Sequence, residues 1–121
     1  AIRLFPRYSG AFYNRGMVWY ALQEFDKALA DYNKAIELNP GFATCYTARG
    51  ILEMDAMQNG DLALSDYNKA ISLNPSMAQA FYNRGILRLR MNDIGRACED
   101  FHQVRRLGFD RADKLIRQFC E

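Results

Sequence analysis

The sequence predicts an all-α protein, an α-solenoid of antiparallel helix pairs. Two observations carry the prediction. The stretch ALADYNKAIELNP at 28–40 returns as ALSDYNKAISLNP at 63–75, a shift of 35 residues, and a looser copy, ACEDFHQVRRLG, begins at Ala97. A second word precedes each copy: FYNRG at 12–16, YTARG at 46–50 and FYNRG at 81–85. Self-similarity at such a period means one supersecondary unit stacked on copies of itself.

Each unit reads as two helices. Residues 9–23 form the first helix of the first unit, with Phe12, Gly16 and Trp19 on one stripe and Tyr13, Met17 and Tyr20 on another. Glu24, Phe25 and Asp26 make the turn, with Asp26 near the next N-terminus. Residues 27–38 form the second helix, whose core face carries Ala28, Tyr32 and Ala35 at helical spacing. Asn39-Pro40 stops it, because a residue before proline is pushed out of the helical region. The second unit has helices at about 43–57 and 62–73. Gly60 suits a left-handed helix end there, Asp61 suits the N-cap, and Leu62 stands in for Phe25 at the corner. The third unit has helices near 77–91 and 95–107.

Residues 110–120 form a last amphipathic helix, with Ala112, Leu115, Ile116 and Phe119 on one face and charges on the other. A solenoid needs such a polar outer face at its end. At the start, Ala1–Tyr8 share the frame of Ala35–Phe42. They read as the end of a preceding unit's second helix, stopped by Pro6. The chain therefore reads as a piece of a longer protein. Its divisions are 1–8, 9–42, 43–77, 78–109 and a capping helix at 110–121.

Gly16, Gly50 and Gly85 recur in the first helices. A helical glycine costs about 1 kcal/mol relative to alanine, so three in register need a packing reason. Large aromatics beside them fill the remaining volume.

Composition bounds the rest. The chain has 121 residues, half of them hydrophobic and a quarter charged, with a net charge of +2. Such a balance by itself implies neither nucleic acid nor membrane. Residues 84–121 hold nine Lys or Arg against six Asp or Glu, which makes that end mildly basic. Nucleic-acid binding would rest on Arg88, Arg90, Arg96, Arg105, Arg106, Arg111, Lys114 and Arg117, and ranks well below protein binding. No run is long or apolar enough to span a membrane, no signal sequence is visible, and the compartment is not encoded. Cys45 falls on an apolar stripe as a core residue. Cys98 and Cys120 lie on helices that should pack together; the sequence favours free thiols over a bridge between them. The three cysteines and the single His102 have no zinc-site spacing, and no phosphate loop or nucleophile motif is present. No enzymatic activity, no metal and no cofactor is expected.

The pattern resembles the tetratricopeptide repeat, a helix–turn–helix unit of about 34 residues. The matching positions are Phe12, Gly16, Trp19, Ala28, Tyr32, Ala35 and Pro40, then Tyr46, Gly50, Ala63, Tyr67, Ala70 and Pro75, then Phe81, Gly85, Ala97 and Phe101. Departures are Glu53 and Arg88 in place of Trp19, Val104 for the third alanine, and Gly108-Phe109 for Asn-Pro. The resemblance implies a right-handed superhelix whose first helices line a concave groove that holds a peptide or helix of a partner protein. The alternative is a structural spacer or self-association element of a larger repeat protein. By resemblance, the groove falls to Tyr13, Asn14, Met17 and Tyr20, to Thr47, Ile51 and Met54, and to Gln79, Tyr82, Asn83, Ile86 and Arg90. Members that bind acidic chaperone tails carry a clamp of Lys, Asn, Asn, Lys and Arg. Tyr13, Met17, Ala48, Gln79 and Asn83 stand at those positions, so the expectation is an apolar or aromatic-bearing peptide instead.

A second constellation repeats: Arg15 with Asp31, Arg49 with Asp66, and Arg84 with Asp100. A partly buried arginine needs a carboxylate, so these read as structural ion pairs bridging helices.

Overall fold

The computed structural model describes residues 6–121. Seven helices follow in order: α1 (Pro6–Ala21), α2 (Phe25–Leu38), α3 (Ala43–Asp55), α4 (Gly60–Leu73), α5 (Ala78–Arg90), α6 (Ile94–Arg106) and α7 (Asp113–Phe119). Among the described residues there is no strand.

The three second helices show why one word of sequence repeats. α2 buries Ala28, Asp31, Tyr32 and Ala35; α4 buries Ala63, Asp66, Tyr67 and Ala70; α6 buries Ala97, Asp100, Phe101 and Val104. Each set is spaced i, i+3, i+4, i+7, one stripe of a 3.6-residue helix. The stripe packs against the first helix of its own pair, α1 on α2, α3 on α4 and α5 on α6. Each second helix also packs on the next first helix, and α1 touches α3 as α3 touches α5. The result is two layers, α1-α3-α5 and α2-α4-α6, with α7 closing the end on α6.

The glycines set the spacing within each pair. A Cβ added at Gly16, Gly50 or Gly85 would lie 2.7, 2.6 or 2.5 Å from the ring of Tyr32, Tyr67 or Phe101. The second-helix aromatic thus lies flat on the backbone of the first helix.

The turn inside each pair is also periodic. Gln23, Gln58 and Asn92 take positive φ of 62°, 51° and 62°. The residue after each closes a bond back over the helix end: Glu24 N–H to Trp19 O, Asn59 N–H to Glu53 O and Asp93 N–H to Arg88 O, all 2.8 Å. In the first and third turns this is the Schellman ending, made without glycine, and the second turn is one residue wider. The left-handed residue of the second turn is therefore Gln58, not Gly60. The N-cap is Asn59, whose side chain accepts from Leu62 N–H at 3.2 Å, not Asp61. In register, Gly60 replaces Phe25, and Leu62 is half exposed on the surface rather than filling that corner. Between pairs, Asn39 and Asn74 leave the helix and accept from the N–H groups of Gly41 and Ser76. These Asx turns hold the Asn-Pro stops.

Three further expectations change. Pro6 lies within α1 rather than in a break before it; residues 1–5, read above with it as the end of a preceding helix, lie outside the described residues. Cys98 and Cys120 are joined in a disulfide with Cα atoms 5.7 Å apart, because α7 folds back on α6 and brings its last residue over the helix. On the apolar face of the last helix, the N-cap Ala112 and Ile116 are buried but Phe119, at the helix end, is exposed.

Candidate functional site

A cavity of about 260 Å³ opens on the layer of first helices. Its walls are Tyr13, Met17 and Tyr20 from α1, Thr44, Ala48 and Ile51 from α3, and Gln79 from α5, with Tyr32 of α2 at its floor. One-turn spacing puts each set of wall residues on a single helix face. The lining is mostly apolar and aromatic, with hydroxyl and amide groups at its edge, the usual make-up of a recognition pocket.

Its rigid side is aromatic. Tyr13 packs on Phe42 with ring centres 5.1 Å apart, and Tyr20 meets Phe25 edge-on at 5.6 Å. Burial lifts the phenols of Tyr13 and Tyr20 above their ordinary range, and the Asp55 carboxylate adds to it at Tyr20. Both therefore remain neutral O–H groups over the physiological range. Met17 is the adaptable side, 43% exposed and able to repack around different ligands.

The structure sorts the expected groove residues. Tyr13, Met17, Tyr20, Ile51 and Gln79 line the cavity. Thr47 does not: it is 1% exposed, with its hydroxyl on Ala43 O and Met77 Sδ. Met54 is 6% exposed and receives the Tyr67 hydroxyl. Asn83 donates to Gln79 O at 2.9 Å within its own helix, while Asn14 is exposed. Ile86 joins the core under Tyr82, and Arg90 pairs with Asp55 at 3.0 Å. Thr44 and Tyr32 were not anticipated. Thr44 occupies the register of Gln79 and was findable from that. Tyr32 reads from sequence only as core, because its ring edge reaches the cavity across the glycine contact.

A second cavity, of about 340 Å³, lies at the corner lined by Met54, Gly60, Leu87 and Arg90 among others. It exists where Gly60 lacks the ring that Phe25 supplies one repeat earlier.

On the other face, the arginines meet their aspartates. Arg15 donates twice to Asp31 at 2.8 Å, Arg49 twice to Asp66 at 2.8 and 2.7 Å, and Arg84 twice to Asp100 at 3.0 and 2.7 Å. Arg49 also reaches back to Asn33, and Arg84 to Asn68. Each of these two side chains therefore ties its own second helix to the preceding one. Of the cations a nucleic acid would use, Arg88, Arg90, Arg96 and Arg105 are engaged with Asp100, Asp55, Asp93 and Asp113.

Among the described residues no group of three His, Cys, Asp or Glu is placed to hold a metal, and no helix is long and apolar enough to cross a membrane.

Residues 9–42 match the family model for the tetratricopeptide repeat. The first such domain of Spaghetti (RPAP3), bound to the HSP90 peptide SRMEEVD, superposes with a TM-score of 0.91 at 22% identity over 99% of this chain and 96% of that one. The first such domain of human RPAP3 gives 0.88 at 23% over 96% and 92%. The Arabidopsis OM64 domain gives 0.79 at 25% over 85% and 84%. A UDP-N-acetylglucosamine–peptide N-acetylglucosaminyltransferase of Giardia intestinalis (strain ATCC 50803 / WB clone C6) is 54% identical over 50 residues, which is 41% of this chain and 3% of that protein.

The exclusion of acidic chaperone tails does not stand. A domain of this fold is bound to SRMEEVD, an acidic tail peptide. The five clamp positions lie on the first helices α1, α3 and α5 and leave out the segments between helices. Residues 9–42 are thus matched as a tetratricopeptide repeat, and the chain has the fold of tetratricopeptide-repeat domains, with two further in-register helix pairs and a C-terminal capping helix.

Proposed function

We propose that the layer of first helices holds an extended segment of a partner protein, with an apolar side chain of that segment seated in the cavity between α1, α3 and α5. The repeats that form it are 9–42, 43–77 and 78–109. The observation that carries this reading is the cavity itself: three successive repeats contribute to one apolar-walled opening. Its floor is made by rings already fixed by packing, so little ordering is needed on binding. Its rim offers Gln79 and Thr44, which match the backbone groups of an extended chain. Acidic tails of the SRMEEVD type belong among the candidate ligands, since a domain of this fold holds that peptide. The role is one of binding, and the 50-residue likeness to a transferase is too short to bring that enzyme's activity to this chain.

The test is selection of peptides from a random displayed library on the parent chain, followed by rebinding to a Met17→Ser, Ile51→Thr double variant with unchanged helicity. Selected peptides should bind the variant at least tenfold more weakly, a loss of about 1.4 kcal/mol. Equal binding to both would move recognition off this cavity.

A further inference from the structure

We propose that Arg111, laid over Tyr82, is the residue that selects acidic peptides, binding a side-chain carboxylate at the capped end of the groove. The inference rests on the groove reading and names the charge of the ligand it would take.

The Arg111 guanidinium sits 4.1 Å above the centre of the Tyr82 ring. Tyr82 occupies in α5 the register that the wall residue Tyr13 occupies in α1, three residues on from Gln79. In the first two repeats that position packs on the residue just before the next helix, and in the third on the residue one step before that register. Tyr13 meets Phe42, Thr47 meets Met77, and Tyr82 meets Arg111. The first two partners are apolar and half buried, and the third is an exposed cation. The last rung of the groove therefore carries a fixed positive charge where the earlier rungs carry none.

That charge is available. Among the described residues Arg111 takes no carboxylate. Asp113, two residues on, is committed to Arg105 at 3.0 Å, and Arg90 further along α5 is neutralised by Asp55. The guanidinium is also held in place: Ala112 beside it is fully buried, and α7 is bridged to α6 through Cys98 and Cys120. A ring beneath a guanidinium occupies one of its faces and leaves the N–H edge free for a planar, bidentate contact. A carboxylate is the group whose geometry fits that edge.

The experiment measures binding of two peptides, SRMEEVD and its neutral counterpart SRMQQVN, by fluorescence anisotropy at low and moderate salt. Both keep a free C-terminus, so only side-chain charge differs. The parent should prefer SRMEEVD by about tenfold. Arg111→Gln should erase the preference without weakening SRMQQVN, and Arg111→Lys should restore part of it. Melting temperature serves as the second readout, since a residue that merely covers Tyr82 would change stability and leave the ratio alone. A preference that survives in Arg111→Gln overturns the assignment. Equal binding of both peptides by the parent overturns it too, while leaving the groove reading intact. Binding of neither overturns it as well, and the library selection then decides separately whether the groove binds peptides at all.

Discussion

Arg84 grips Asp100 through two hydrogen bonds, Nε to Oδ2 at 3.0 Å and Nη2 to Oδ1 at 2.7 Å, while Arg88 adds a third at 2.9 Å. The Asp100 carboxylate is 3% exposed and its two arginines 16% and 15%. Removing it leaves two largely buried cations without a counter-charge. Asp100→Ala should therefore cost about 3 kcal/mol, the range for breaking a buried pair. Urea denaturation would read it as a lower midpoint with an unchanged slope. The Arg15–Asp31 pair is the internal comparison. Arg15 is 60% exposed there, so solvent screens the pair and Asp31→Ala should cost clearly less. Equal losses at the two sites would contradict this.

Two glycines should respond with opposite signs to one substitution. At Gly50 an added methyl would fall 2.6 Å from Tyr67, a fully buried ring with nowhere to retreat. Gly50→Ala should destabilise by about 1–3 kcal/mol, the usual cost of overpacking, in spite of alanine's better helix propensity. At Gly95 in α6 nothing lies within 4 Å of the new atom. Gly95→Ala should stabilise by about 0.5–1 kcal/mol. Thermal melts of the two variants side by side would check the pair.

These contacts show how much of the fold was legible in sequence. The recurrence of Gly16, Gly50 and Gly85 with an aromatic 16 or 17 residues later gave the helix pairing, because ring and glycine must meet. The Arg–Asp spacing gave the ion pairs for the same reason. Turn chemistry was less readable. Gln23, Gln58 and Asn92 take left-handed backbone that no residue rule singles out, so Gly60 drew attention that belonged to Gln58. The groove was legible as a register but not as a surface. Thr47 and Met54 hold groove positions and are buried there, because neighbouring first helices come close enough to cover them. Arg111 was read only as one of several surface cations, since nothing in its local sequence points to Tyr82.

The bridge between Cys98 and Cys120 closes a separation of 22 residues. A loop of that size restricts the unfolded chain by roughly 3 kcal/mol in the chain-entropy model. The capping helix has seven residues, too few to persist unaided. Cys98→Ser, or a dithiol reductant, should lower the melting temperature and increase amide exchange across α7 ahead of the rest. Cys45 should stay inert in the same experiment. It is fully buried, and burial pushes its thiol up to about 12, so a thiol reagent should reach it only after unfolding. Uniform exchange along the whole chain after reduction would contradict the local role of the bridge.

Glu53 supplies the pH dependence. It stands where Trp19 and Arg88 stand in the other repeats, 5% exposed, with Arg49 Nε 4.0 Å away and the Asp66 carboxylate nearby. Its Oε1 has no hydrogen-bond partner among the described residues. Desolvation, and then a hydrogen bond and charge repulsion involving Asp66, raise it from 4.5 to about 8, with Arg49 opposing. The folded chain thus keeps a proton that the unfolded chain releases near 4.5, and the proton is lost on unfolding at any pH between the two values. Stability should fall as pH climbs from about 4.5 to about 8 and level off above, a decline on the order of 5 kcal/mol at most from this residue. Glu53→Gln keeps an N–H donor for Asp66 and cannot ionise. It should match the parent near pH 5, exceed it near pH 9, and flatten the slope between. Urea midpoints across that range decide the matter: parallel curves for parent and variant would mean that Glu53 is charged in the folded chain, held so by Arg49.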